Sequence, residues 1–325
     1  MQQERDITLQ MKQSHVDLLA LMPCPIKVPF EKLIKDFVEN EADLNPSNLN
    51  LVIEGHANHH LTFYEQLEQI KDIDQLPDII ITPGINALFG RSFRDRFVKK
   101  GYFQAILPDQ IEEAVLKAGY LDPEEHYSMF TMNILVMVVY KPELLSRQVP
   151  SGFSDILGSE YKNKLVLRGQ KQYYCESVLL SFEKLFGTEG VKKLADNTLL
   201  GCHPSEMIKM IKTSRTNGGA VFIMPYFYAK SIESNPNVEI IWPKEGAIVN
   251  AVSMLVKKNT SKEVKKLAEF IAGKEVAKMC SGAFFPSSYK SDKNEYFMNL
   301  FWMGWDYIKD QTLTDRLEVL NQLFF

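Results

Sequence analysis

The sequence predicts an α/β protein of two lobes, each a mixed, mostly parallel sheet flanked by helices. Three observations predict it. Short apolar strands alternate with segments of helical spacing, the pattern of βαβ units. At 325 residues the chain is long enough to bury two separate cores. No low-complexity linker or internal repeat interrupts it, so the lobes are joined by more than one passage of the chain.

The elements follow in order. Residues 16–21 read as a strand, broken by Met22-Pro23-Cys24-Pro25. Phe30, Leu33, Ile34, Phe37 and Val38 then recur at helical spacing. A second strand, 51–54, stops at Gly55, with a helix expected near 61–70. A third strand, 78–81, ends in Thr82-Pro83-Gly84. Residues 130–140 form a long β-like run. Beyond it come a buried-type strand at 165–167, a helix from Val178 ended by Gly187, and another helix over 205–212. Gly218-Gly219 turns into a strand at 220–224, then a tyrosine-rich segment; further strands cover 238–242 and 251–256. The end of the chain reads as helical: 264–271, 274–280 and the aromatic-rich 296–325, whose Trp302 and Trp305 suggest packing on the first lobe.

Bulk properties exclude several classes. A net charge of −4 offers no basic face for nucleic acid. The longest apolar stretch, 134–140, is far short of the roughly 20 residues a membrane span needs. Four scattered cysteines without a C-x-x-C pair form neither a disulfide framework nor a zinc ribbon. The first 21 residues lack a basic region followed by an apolar run, so the expected location is cytoplasmic, or periplasmic if a signal was removed. Nucleophile-elbow, zinc-protease, phosphate-loop and dinucleotide fingerprints are all missing.

In parallel sheets the loops beyond the strand C-termini line the ligand crevice. Three such loops are marked: 23–27 with Cys24 and Lys27, 55–60 with His56, His59 and His60, and 82–86 with Thr82 and Gly84. Cysteine and histidine suit a transition metal, and His56 and His60 stand at i, i+4; Cys24, His56 and His60 are the candidate metal ligands. A plain polar loop, and hydrogen bonding to an organic or anionic ligand, stand beside that reading. Further along, Tyr174, Cys175 and Ser177 precede a helix N-terminus, where free N–H groups favour an anion; Arg168 and Lys27 offer it charge. Cys202-His203-Pro204-Ser205 is a similar case, with Ser205 as the expected N-cap.

The order of these phrases resembles the type II periplasmic solute-binding proteins of ABC transporters, the iron(III) class in particular. The resemblance rests on Leu76-Pro77-Asp78-Ile79-Ile80-Ile81, the crossing strand 133–140 and its Lys141-Pro142-Glu143-Leu144-Leu145 step. It continues through Phe153–Leu157, Tyr161–Val166, Trp242-Pro243-Lys244-Glu245-Gly246 and the helices over 262–282. It implies a hinged cleft, with residues 1–132 and 249–325 in the first lobe and 133–248 in the second. It also implies capture of a small ligand by lobe closure, for an ABC permease, by a monomer that is not an enzyme. The ligand is expected to be a metal ion, a metal complex or a small anion, with no obligatory cofactor. Iron-binding members use adjacent tyrosines; here Tyr226 is followed by Phe227, which cannot ligate, leaving Tyr228 as the substitute. A cytoplasmic ligand sensor or metal-handling chaperone, and a hydrolase or transferase built on Cys24 with His59 or His60, are the alternatives.

Overall fold

The computed structural model describes residues 14–56, 63–64, 66–67, 69–170, 173–290 and 299–325. In chain order the strands are β1 (Leu18–Met22), β2 (Leu51–Gly55), β3 (Ile79–Pro83), β4 (Phe103–Gln104), β5 (Tyr127–Tyr140) and β6 (Leu165–Gln170). They continue with β7 (Tyr173–Tyr174), β8 (Thr198–Cys202), β9 (Val221–Pro225), β10 (Val238–Ile241), β11 (Ala247–Lys257) and β12 (Leu300–Phe301). The principal helices are α1 (Cys24–Asn40), α2 (Glu113–Lys117), α3 (Glu176–Asn197), α4 (Pro204–Lys212) and α5 (Tyr226–Lys230). Then come α6 (Lys262–Ala272), α7 (Lys274–Gly282), α8 (Trp305–Ile308) and α9 (Leu313–Gln322). Among the described residues no helix is long and apolar enough to cross a membrane.

The chain divides into two compact units. Unit 1 holds residues 1–132, 251–295 and 304–311; unit 2 holds 133–250, 296–303 and 312–325. The sequence reading gave all of 249–325 to the first lobe, and there the structure differs. Residues 312–325 join unit 2 because α9 buries Leu313 and Leu320 and seats Phe324 against Tyr174. Two of the unit boundaries fall inside the buried strands β5 and β11, at 132/133 and 250/251.

In unit 1, β1 lies between β2 and β3, parallel to both, and β3 pairs antiparallel with β11. The middle strands read as continuous apolar runs because both faces are covered, as parallel sheets require. The helix α1 begins at Cys24, earlier than its apolar periodicity suggested. Pro25 sits in the first turn, where a missing N–H costs nothing, and Pro29 is carried within the helix. The helix expected near 61–70 lies largely outside the described residues. Helix α6 is capped by Ser261, whose side chain accepts from the Val264 N–H at 3.2 Å, and buries Val264, Leu267 and Ile271.

In unit 2, β5 runs antiparallel to β10 and β9, β9 runs parallel to β6, and β6 runs parallel to β8. Strand β7 folds back antiparallel on the end of β6. Helix α3 is two helical segments meeting at Gly187, which has φ 67 where any Cβ would be strained; this is the break that Gly187 marks in the sequence. The aromatic-rich end is less helical than its composition suggests. Residues 300–301 pair with the start of β11, and Gly246, at φ 101, lets the backbone of Leu300 and Phe301 come within 2.8 Å of where its Cβ would stand.

Candidate functional site

Each unit presents the loops after its parallel strands, and the two sets differ in what their side chains leave free. In unit 1, Cys24 is exposed at the first residue of α1. Lys27 is committed to Glu31 one turn on, at 2.7 Å, an i,i+4 pair that holds the Glu31 carboxyl below its ordinary range. His56 lies just past β2, with its Nε2 3.5 Å from the Tyr64 hydroxyl. His59 and His60 lie outside the described residues, and with them the metal set Cys24–His56–His60 and the Cys24–histidine nucleophile. Thr82 is fully buried, its hydroxyl accepting from Asn86 Nδ2 at 3.0 Å, so this expected ligand contact is an internal brace. Gly84 occupies φ 78 and donates its N–H to Ala251 O at 2.7 Å.

At the opposite end of unit 1 is an open pocket of about 720 Å³, lined by His15, Asp78, Tyr102, Lys257 and Thr260 among others. His15, Asp17 and Asp78 bring their ligand atoms within 4.8 Å of one another, a group that could hold a metal. Asp78 is already partnered within the protein. Lys257 Nζ lies 3.0 Å from Asp78 and donates to Leu76 O at 2.8 Å, while His15 Nε2 lies 3.1 Å from the same carboxylate. This cluster stands where β1 and β3 begin, away from the loops that follow them.

Unit 2 assembles the more open chemistry. Parallel strands β6, β8 and β9 end on one side, with Arg168 paired to Cys202 in register, and α4 and α5 begin immediately beyond β8 and β9. The two-residue β7 intervenes between β6 and α3. Helix first turns present unpaired N–H groups and the positive end of the dipole. The half-buried Arg168 projects from β6 into this region. Its charge is felt by Cys175, Glu176 and His203. Its Nη1 is enclosed by protein and has no hydrogen-bond partner among the described residues.

Burial shifts each neighbouring titratable group away from its charged form. Burial pushes the Cys175 thiol up, with Arg168 pulling it back, and burial lifts Cys202 to about 11. Desolvation raises the Glu176 carboxyl. Desolvation also lowers His203, and Arg168 adds to it. His203, not Ser205, is the N-cap of α4. Its Nδ1 accepts from the Ser205 N–H at 3.2 Å and lies 2.7 Å from the Ser205 hydroxyl; with Nδ1 accepting, the neutral ring carries its proton on Nε2. Ser177 Oγ donates to Asn250 Oδ1 at 2.8 Å, both residues being buried.

The tyrosines are placed differently from the iron-class expectation. Residues 226–228 are helical, so Tyr226 and Tyr228, two residues apart, do not face each other. Tyr226 meets Trp242 edge-on at 5.4 Å, and Tyr228 lies 6.2 Å from His203. Tyr174 packs over Gly201, where a Cβ would lie 2.7 Å from its ring, and against Phe324 at 4.2 Å. Its backbone N–H is taken by Asn321 Oδ1 at 3.0 Å. Sequence reasoning named Arg168, Cys175, Ser177 and His203. It missed Asn250, Gly201, Asn321 and Phe324, none of which carries a local signal.

A profile of the family described as bacterial extracellular solute-binding protein matches residues 74–311. The structure of Trichodesmium FutA (IdiA) with iron and citrate matches with a TM-score of 0.64 at 16% identity, covering 94% of this chain and 97% of that one. Apo ferric ion-binding protein A of Pasteurella haemolytica matches at 0.62 and 14%, covering 96% and 98%. AfuA of Actinobacillus pleuropneumoniae, with fructose-6-phosphate bound, matches at 0.61 and 16%, covering 90% and 93%. At these identities the structural likeness is one of fold. No curated protein matches the chain. The expected cytoplasmic location is overturned, because the family matched over residues 74–311 is extracellular. With most of its length under that profile, the chain belongs to the bacterial extracellular solute-binding proteins.

Proposed function

We propose that this solute-binding protein, the substrate-binding component of an ABC import system, captures an anion. The anion is a small oxyanion or the anionic complex of a metal, and unit 2 holds it at the ends of β6, β8 and β9. The observation that carries the reading is Arg168, whose Nη1 is enclosed yet has no hydrogen-bond partner among the described residues. A buried guanidinium N–H left without an acceptor is costly, and a carboxylate or phosphate satisfies it with a charge-assisted bond. Neutral His203 adds an Nε2–H donor, the first turn of α3 adds N–H groups, and the dipoles of α3 and α4 favour negative charge. The Tyr226-Phe227 pair argues against direct phenolate ligation of a bare metal ion, so a metal enters as part of an anionic complex. The iron-and-citrate and fructose-6-phosphate complexes of the two fold relatives are consistent with ligands of this charge. Hinge closure is the mode of capture, and an ABC permease is the partner.

Isothermal titration with citrate, ferric citrate, inorganic phosphate and fructose 6-phosphate tests the reading. At least one should bind, and Arg168→Ala should weaken it by about 10- to 100-fold, the worth of one charge-assisted hydrogen bond. Binding by none of the four, or affinity untouched by Arg168→Ala, overturns it.

A further inference from the structure

Helix α9 lies beyond the residues matched by the family profile, yet it seats on the segment that leads into the anion-binding turn of unit 2. Three contacts make the seat. Asn321 Oδ1 accepts the Tyr174 backbone N–H at 3.0 Å, while Asn321 Nδ2 donates to Leu317 O at 3.0 Å, which fixes the orientation of the amide. The Phe324 ring lies 4.2 Å from that of Tyr174. Arg316 approaches Glu183 of α3 at 3.4 Å. Beneath the tyrosine, the penultimate residue of both β6 and β8 is glycine. At Gly201 a Cβ would lie 2.7 Å from the Tyr174 ring, and at Gly169 it would lie 2.8 Å from Tyr173 O. Tyr174 is thus clamped from below by β6 and β8 and from above by α9. The next residue is Cys175, the N-cap of α3, whose N–H is bound to Arg168 O at 3.0 Å.

We propose that α9 is a clamp that positions the ligand-binding turn of unit 2, with Asn321 and Phe324 as its positioning residues. The inference rests on the anion reading for its purpose, not for its geometry. A turn that must present N–H groups and Arg168 to an anion without rearrangement gains affinity from being fixed beforehand. The chain achieves this by spending its C-terminal helix on a residue 147 positions earlier.

The test follows the Cys175 thiol, which is buried beside the clamp. Its alkylation under native conditions is measured by peptide mass spectrometry in a Cys24→Ser background, because Cys24 is exposed and would react first. Asn321→Leu should speed alkylation of Cys175 by about fivefold or more, the factor that one lost hydrogen bond corresponds to, and Phe324→Ala by a similar factor through the lost aromatic pair. Asn321→Asp keeps the acceptor and should react as slowly as the parent. Cys280, buried in unit 1, should be unchanged in all variants and so reports any global loosening. Whichever anion binds the parent should bind Asn321→Leu more weakly by a similar factor. Unchanged Cys175 rates in Asn321→Leu and Phe324→Ala overturn the clamp, as does faster alkylation with unaltered affinity. If the parent binds no anion, the reading of Arg168 falls, and the Cys175 rates alone decide the clamp.

Discussion

Asp122→Asn is the perturbation whose cost the structure defines most closely. Asp122 is buried in unit 1 and accepts the backbone N–H groups of Glu124, His126 and Tyr127 at 3.1, 3.0 and 3.0 Å. Its carboxylate also receives the ammonium of Lys309, which is itself buried and reaches Glu124 at 2.7 Å. Lys309 lies 5.4 Å from the rings of both Tyr127 and Trp305. Asparagine keeps the shape but removes the charge and places an NH₂ where one acceptor stood. Breaking a buried pair from one side costs about 3–5 kcal/mol. Glu124 retains part of the attraction, so we expect about 3 kcal/mol. Lys309→Met should cost less, about 2 kcal/mol, because Asp122 keeps its three N–H donors. In the Lys309→Met background Asp122→Asn should cost only about 1 kcal/mol, a coupling of about 2 kcal/mol. Urea denaturation of the four proteins, followed by tryptophan fluorescence, measures the cycle. A coupling under about 0.5 kcal/mol would show that Lys309 and Asp122 are neighbours without mutual dependence.

Two further outcomes follow from the ionisable groups. The Lys244 ammonium at 2.6 Å, helped by the Ser151 hydroxyl and N–H, holds the Asp155 carboxyl far below its ordinary value. A depressed folded pKa contributes stability in full above about pH 4 and loses it as pH falls through the folded value. The melting difference between the parent and Asp155→Asn should therefore narrow below pH 4, and a pH-independent difference would contradict the pair. Of the four cysteines, only Cys24 is exposed. Burial pushes Cys280 up to about 12 and Cys202 to about 11. A thiol reagent at pH 8 should modify one group rapidly and the remaining three far more slowly, completing only on unfolding; a second rapid equivalent would refute the burial.

The strands and the main helices were legible because burial writes a period into the sequence. The run 79–81 and the spacing of Phe30, Ile34 and Val38 each report one covered surface. Helix starts were less so. Prolines at 23 and 25 look like a break, but the N-cap and the first turn of α1 tolerate them, so Cys24 opens the helix instead of preceding it. For the site, Arg168, Cys175 and Ser177 could be named because they flank the passage from the end of a strand to the start of a helix. What could not be read is which of the marked side chains remain available. Lys27 is neutralised by Glu31, Thr82 is sealed beneath Asn86, and Tyr174 is taken by Asn321 and Phe324. These are pairings in space that no local spacing encodes. The share of 249–325 belonging to unit 2 was hidden for the same reason, since α9 is assigned by what it touches.

The bond from Ser177 to Asn250 joins two parts of unit 2 that the chain keeps 73 residues apart. Asn250 is the last unit 2 residue of β11 before that strand enters unit 1, and Ser177 stands in the first turn of α3. With both side chains out of solvent, separating them strands two polar atoms at about 1–3 kcal/mol. The first turn of α3 is thereby fastened to the residue of β11 that borders unit 1, and neither can shift alone without giving up that bond.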